Sequence, residues 1–197
     1  MTRDLDMRRT RHFWTLAAAL TLFSVHLCVA GELRPVDAMP APPLELEDLS
    51  GATHNLSAWR GKVVLLNFWT TWCQPCLKEM PGIQRLAQQM TGKPFAVVGV
   101  NVGESRFRAQ RIAQQLGLDF PILLDTESKV FLAWGGKTFP TTALLDAQGA
   151  LRYVGLGPLE WDDPEEMAAV EQLLNEVSPT EASEPAVGPS ADSGGKP

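Results

Sequence analysis

The chain has 197 residues, enough for one ordinary domain with extensions but not for two full ones. Its 45% hydrophobic residues can furnish a packed core, while the net charge of −6 hides an asymmetry: from Gly31 onward 13 Lys/Arg face 21 Asp/Glu, a balance of −8. So acidic a body lacks the clustered cations that a phosphate backbone requires, which excludes nucleic acid as a partner.

At the N-terminus, Arg8, Arg9 and Arg11 lead into an apolar run of 18 residues ending at Ala30. A basic flank followed by an apolar run is how an export signal reads, and small side chains at Cys28 and Ala30 suit cleavage before Gly31. The run is short for a spanning helix, which needs roughly 20 residues, so an uncleaved membrane anchor is the alternative. Residues 1–30 are therefore expected to direct the protein to the periplasm or the outer face of the membrane, and to be its only membrane contact. Residues 31–43 are rich in proline and without periodicity, and read as a linker. Residues 44–177 read as the folded domain. Residues 178–197 hold four prolines, three glycines and four serines, and such a tail cannot offset its ordering entropy.

Within the domain, Val63–Trp69 is a nearly continuous apolar run, the pattern of a strand buried on both faces. Leu77, Met80, Ile83, Leu86, Ala87 and Met90 recur at threes and fours, which predicts a helix over 74–90, kinked where Pro81 removes one backbone bond. Residues 95–100 form a second buried strand, and 106–116 a helix stopped by Gly117. Residues 120–124 are extended, and 128–134 form a short helix ended by Gly135 and Gly136. Thr141–Leu145 and 150–154 read as a hairpin joined across Gly149. A closing helix over 164–177 carries Pro164 in its first turn and Glu165 and Glu166 at its positive end. Strands alternating with helices, then a hairpin, indicate a central sheet covered by helices.

The chemistry is concentrated in Trp72-Cys73-Gln74-Pro75-Cys76, at the junction of the buried strand and the helix. Cys73 falls at a helix start, where free backbone N–H groups and the helix dipole favour a thiolate. Three residues later, Cys76 is one turn away, so one sulfur can attack a partner's disulfide and the other can resolve the mixed disulfide. The competing readings are a passive disulfide and half of a metal site. Zinc normally requires four ligands. Of the remaining Cys and His, Cys28, His12 and His26 lie in the export segment and His54 stands alone, so neither a metal nor any other cofactor is expected.

The stretch Asn67-Phe68-Trp69-Thr70-Thr71-Trp72-Cys73-Gln74-Pro75-Cys76-Leu77-Lys78-Glu79-Met80-Pro81 resembles the TlpA/ResA branch of the thioredoxin superfamily, exported and often membrane-anchored thiol–disulfide reductases. Val97-Val98-Gly99-Val100-Asn101-Val102-Gly103-Glu104-Ser105 and Phe139-Pro140-Thr141-Thr142-Ala143-Leu144-Leu145-Asp146 resemble two further segments of that branch, in order. The resemblance covers about residues 40 to 177. It implies an α/β thioredoxin fold, a central mixed β-sheet flanked by helices, with the branch's N-terminal extension and a central insertion over 101–136.

The same resemblance assigns roles. Pro140 matches the proline that is cis in this fold and faces the cysteines. Phe139 would then offer an extended edge to a substrate chain, with Thr141 beside it, and Trp72 would pack over the thiols and shape the docking surface. Thioredoxin's buried Asp is replaced here by Asn67, which carries no titratable proton. Glu79, one helical turn past Cys76, matches a glutamate of the branch and would exchange a proton with the Cys76 thiol if burial raised its pKa. Arg106, Arg108 and Arg111 form a local basic stretch, read as a solvated helix face rather than a docking site for an acidic partner.

The partners implied are exported proteins with disulfides or cysteine pairs, and a membrane electron donor for re-reduction; preparing an apocytochrome c for haem attachment is one task of the branch. Two alternatives stand beside this reading. A thiol peroxidase would want a Thr and an Arg around one thiol, and Thr70 precedes Cys73 by three. A non-catalytic metallochaperone would want a soft second ligand set near the hairpin.

Overall fold

A computed structural model describes residues 31–177. The export segment 1–30 and the tail 178–197, with the readings attached to them, lie outside the described residues. In chain order the strands are β1 (Glu32–Pro40), β2 (Glu45–Glu47), β3 (Thr53–Asn55), β4 (Val63–Trp69), β5 (Phe95–Val102), β6 (Ile122–Asp125), β7 (Thr141–Leu145) and β8 (Ala150–Leu156). The helices are α1 (Gln74–Gln89), α2 (Arg106–Gln115), α3 (Lys129–Ala133) and α4 (Pro164–Asn175). A single turn of 3-10 helix, Leu56–Trp59, precedes β4.

Six strands form one mixed sheet in the order β1-β8-β7-β4-β5-β6, with β4, β5 and β6 parallel and the rest antiparallel. The expected central sheet flanked by helices is present. Strand β4 lies at its middle and is buried at all seven positions, as its unbroken apolar run requires. Its residues alternate between two cores. Val63, Leu65 and Trp69 pack with Met80, Ile83 and Leu86 of α1 and Val170 and Leu173 of α4. Val64, Leu66 and Phe68 pack on the other side with Trp59 and with Phe131 of α3. Gly99 lets side chains close over β5 in the first core: a Cβ there would meet Ile122 Cδ1 at 2.7 Å, Phe120 Cε2 at 3.2 Å and Trp69 Nε1 at 3.3 Å, and these would have to give way.

The linker reading of residues 31–43 is overturned. Glu32–Pro40 is a strand, antiparallel to β8 from Glu32 opposite Leu156 to Pro40 opposite Ala150. It carries Pro35 and Pro40 because one of its edges is open, and the register slips between Pro35 and Met39. Most of its side chains are exposed, so it has no apolar alternation to reveal it. Its partner supplies the ladder from more than a hundred residues away in sequence. The short β2–β3 hairpin is likewise a structural addition; Asp48 holds its turn by accepting from Ser50 N–H at 2.7 Å and Ala52 N–H at 3.1 Å. Leu156 faces both Glu32 of β1 and Thr141 of β7, so the chain enters the sheet at the end where β4 delivers Cys73.

Candidate active site

Strand β4 ends at Trp69, and four residues later Cys73 is the N-cap of α1. Its Sγ accepts the Cys76 backbone N–H at 3.2 Å, and the two cysteines are joined in a disulfide. The pair therefore sits among the first-turn N–H groups of a 16-residue helix, a place that stabilises negative charge on sulfur once the bond opens. Pro75 lies in that first turn, where its missing N–H costs nothing.

The two sulfurs differ in access. Cys76 is fully buried, whereas Cys73 is 5% exposed and lines an open groove of about 480 Å³ with Trp72, Pro75, Lys137 and Phe139. Trp72 projects from the surface at 65% exposure and meets the edge of Phe139 at 5.7 Å between ring centroids. Phe139 in turn stacks on Phe131 at 4.5 Å, which roots the groove wall in the second core. The Phe139–Pro140 peptide bond is cis, and Pro140 itself is buried. Thr141 is turned inward: it is buried, and its hydroxyl donates to the Thr138 carbonyl at 2.8 Å.

Glu79 lies on α1 one turn beyond Cys76 and is buried. Oε1 accepts the indole N–H of Trp161 at 2.8 Å, and Oε2 has no hydrogen-bond partner among the described residues. Burial pushes the carboxyl up to about 8, against the opposing pull of the Trp161 N–H and the Leu159 backbone. Asn67 is also buried and donates from Nδ2 to Thr142 Oγ1 at 2.9 Å.

Two contributors were hidden in the sequence. Glu104 is buried at the end of β5 and accepts from Thr71 N–H at 2.6 Å, Thr71 Oγ1 at 2.5 Å and Asn101 Nδ2 at 2.9 Å. It thereby fixes the loop that leads into Cys73. Trp161 lies between β8 and α4, and nothing in Gly157-Pro158-Leu159-Glu160-Trp161-Asp162-Asp163 marks the tryptophan as a partner of Glu79, 82 residues away. The basic stretch on α2 divides: Arg106 donates to the Asp48 carbonyl and pairs with Glu47 at 2.7 Å, tying α2 to the β2–β3 hairpin, while Arg108 lies 3.9 Å from Glu104. Thr70 is buried, its hydroxyl is without a partner among the described residues, and its carbonyl accepts the Cys73 N–H at 3.3 Å.

The Redoxin family model matches residues 37–174, most of the folded part. Among curated proteins, the chain is 37% identical over 139 residues to the thiol-disulfide oxidoreductase ResA of Geobacillus thermodenitrificans, covering 71% of this chain and 76% of that one. It is 33% identical over 175 residues to ResA of Bacillus subtilis, covering 89% and 94%. The chain belongs to the ResA/TlpA-like oxidoreductases of the redoxin family. Its fold is shared with a secreted thiol-disulfide isomerase from Corynebacterium glutamicum, at 27% identity, TM-score 0.66 and 73% and 92% coverage of the two chains. A DsbF homologue from Corynebacterium diphtheriae matches at 27% identity and TM-score 0.63, covering 71% and 91%. This ResA/TlpA-like chain is accordingly a thiol–disulfide oxidoreductase, and Cys73 and Cys76 are its redox-active pair.

Proposed function

We propose that the chain is an exported protein-disulfide reductase in which Cys73 attacks, Cys76 resolves and Glu79 takes the proton that Cys76 gives up. In the reduced protein, the Cys73 thiolate attacks one sulfur of a partner's disulfide; that bond breaks, and the departing partner sulfur leaves as a thiolate that takes up a proton. Cys76 then gives its proton to the Glu79 carboxylate and attacks Cys73 Sγ. The second partner sulfur is released, the Cys73–Cys76 bond forms, and two electrons have passed to the partner. Glu79 ends the cycle neutral. A carboxyl held near 8 by burial suits that end state, since it keeps the proton at neutral pH in the disulfide form described here.

The observation that carries the reading is the asymmetry of the pair: one sulfur opens on an aromatic groove, and the other is sealed beside a buried carboxyl. The cis-Pro140 segment and the Trp72–Phe139 wall supply the surface on which a partner's extended chain would lie, with Thr141 supporting it from below through Thr138. The partners are exported proteins with disulfides or cysteine pairs, apocytochrome c among them, and a membrane electron donor returns the pair to the dithiol. The basic flank and apolar run of residues 1–30 support export, by a cleaved signal or as an anchor.

The test is the equilibrium potential of the pair against glutathione. A value below that of the glutathione couple supports net reduction; a value near that of strong disulfide oxidants, about 100 mV higher, overturns it. Mixed disulfides trapped on a Cys76→Ser variant then identify the partners.

A further inference from the structure

Among the described residues, Trp161 donates a side-chain hydrogen bond to Glu79, ahead of the smaller pull of the Leu159 backbone, and the chemistry of an indole makes that pairing directional. An indole N–H donates and never accepts. Oε1, engaged by that donor at 2.8 Å, must therefore act as the acceptor whether Glu79 is charged or neutral. The carboxyl proton is left to Oε2, the oxygen with no partner among the described residues.

The loop that carries Trp161 is itself fastened to α1. Arg85 of α1 pairs with Asp162, the residue after Trp161, and Trp161 itself is buried, its Cβ and backbone lying against α1 at Gly82. Leu159 from the same loop is buried in the core that holds Cys76 and Met80. None of these residues lines the groove beside Cys73.

We propose that Trp161 is a positioning residue for thiol–disulfide exchange: it orients the Glu79 carboxyl so that Oε2 is the atom that takes and returns the proton of Cys76. This rests on the role given to Glu79 above. The other charges around the carboxyl do not substitute for it. Glu160, next to Trp161, acts with burial to keep Glu79 neutral; Arg85 and Asp162 neutralise each other; Glu166, on α4, is itself shifted upward by burial and by acidic neighbours including Glu160.

Two measurements on the full chain test this. In the wild-type protein, the Trp161 indole N–H resonance, assigned through its connectivity to the residue's own ring and Hβ protons, is followed by NMR across pH 5 to 10. It is expected to move with the ionisation of Glu79, at the midpoint seen in the rate of mixed-disulfide resolution, and to stop moving in Glu79→Gln. In Trp161→Phe, the resolution rate is expected to reach its plateau about one pH unit later, because the lost donor favoured the carboxylate, with KM for a peptide disulfide unchanged. An indole signal that ignores pH while Glu79→Gln still slows exchange overturns the positioning role alone. An unshifted profile in a folded Trp161→Phe does the same. Unaltered exchange in Glu79→Gln brings down the role of Glu79, and the inference with it. Should Trp161→Phe fail to fold, the wild-type titration decides.

Discussion

Strand β4 shows two packing rules in seven residues. On one side Val64, Leu66 and Phe68 are apolar at every step and meet Val98, Val100 and Phe131. On the other side Val63, Leu65 and Trp69 are interrupted by Asn67, which lies beside Thr142 and opposite Gly99. The second side is also where α1 brings Cys76 and Glu79 into the interior. The comparison teaches how the fold separates its tasks. One core fixes the sheet by close apolar contact, and the other gives up some of that contact to keep a sulfur and a carboxyl away from water.

The sharpest way to break this contrast is at the sulfurs. Cys73→Ser is expected to abolish reduction of a protein disulfide, read as thiol release, while Cys76→Ser still attacks once and accumulates a mixed disulfide. The next largest effect is expected at Glu79. Glu79→Gln should slow resolution by about 100-fold at neutral pH and leave circular dichroism unchanged.

Glu79 also makes a signed prediction for stability. Its pKa is raised in the folded state to about 8 from 4.5, so the folded chain holds a proton that the unfolded chain releases. The associated stability is fully present below pH 4.5 and is lost as pH rises through 8, by up to about 5 kcal/mol. Denaturant melts of wild type and Glu79→Gln from pH 4 to 9 should differ by that slope.

Mutation on the apolar side sharpens the comparison from the opposite direction. Phe68→Ala should cost about 3–5 kcal/mol in denaturant unfolding and leave the potential of the cysteine pair where it was. The smallest effect is expected at Arg106→Ala. It severs a partly exposed pair with Glu47 and should cost less than about 1 kcal/mol, with exchange unaltered.

Much of this was legible in the sequence, for physical reasons that can be named. The unbroken run at β4 and the three-four spacing of α1 are strong signals because each element buries whole faces, and the helix is realised over Gln74–Gln89 with Pro81 inside it. The cysteine pair announced itself by spacing, and Glu79 through the family resemblance. Strand β1 was illegible because an edge needs hydrogen-bond partners more than buried side chains, and its prolines read as a linker. Glu104 and Trp161 were illegible for another reason. Their meaning lies in contacts across 33 and 82 residues, which no local pattern encodes.

Strand β1 also decides where the molecule can be held. Gly31 donates to the Pro158 carbonyl at 2.7 Å, in the loop that carries Trp161, so a tether fused ahead of Gly31 departs from the same end of the sheet as the disulfide. Helix α4 runs the other way, and Glu176 at its far end pairs with Arg152, close to the start of β8. A support gripping the chain from its front would turn the reactive end towards itself, and one gripping it from behind would leave that end facing the solution.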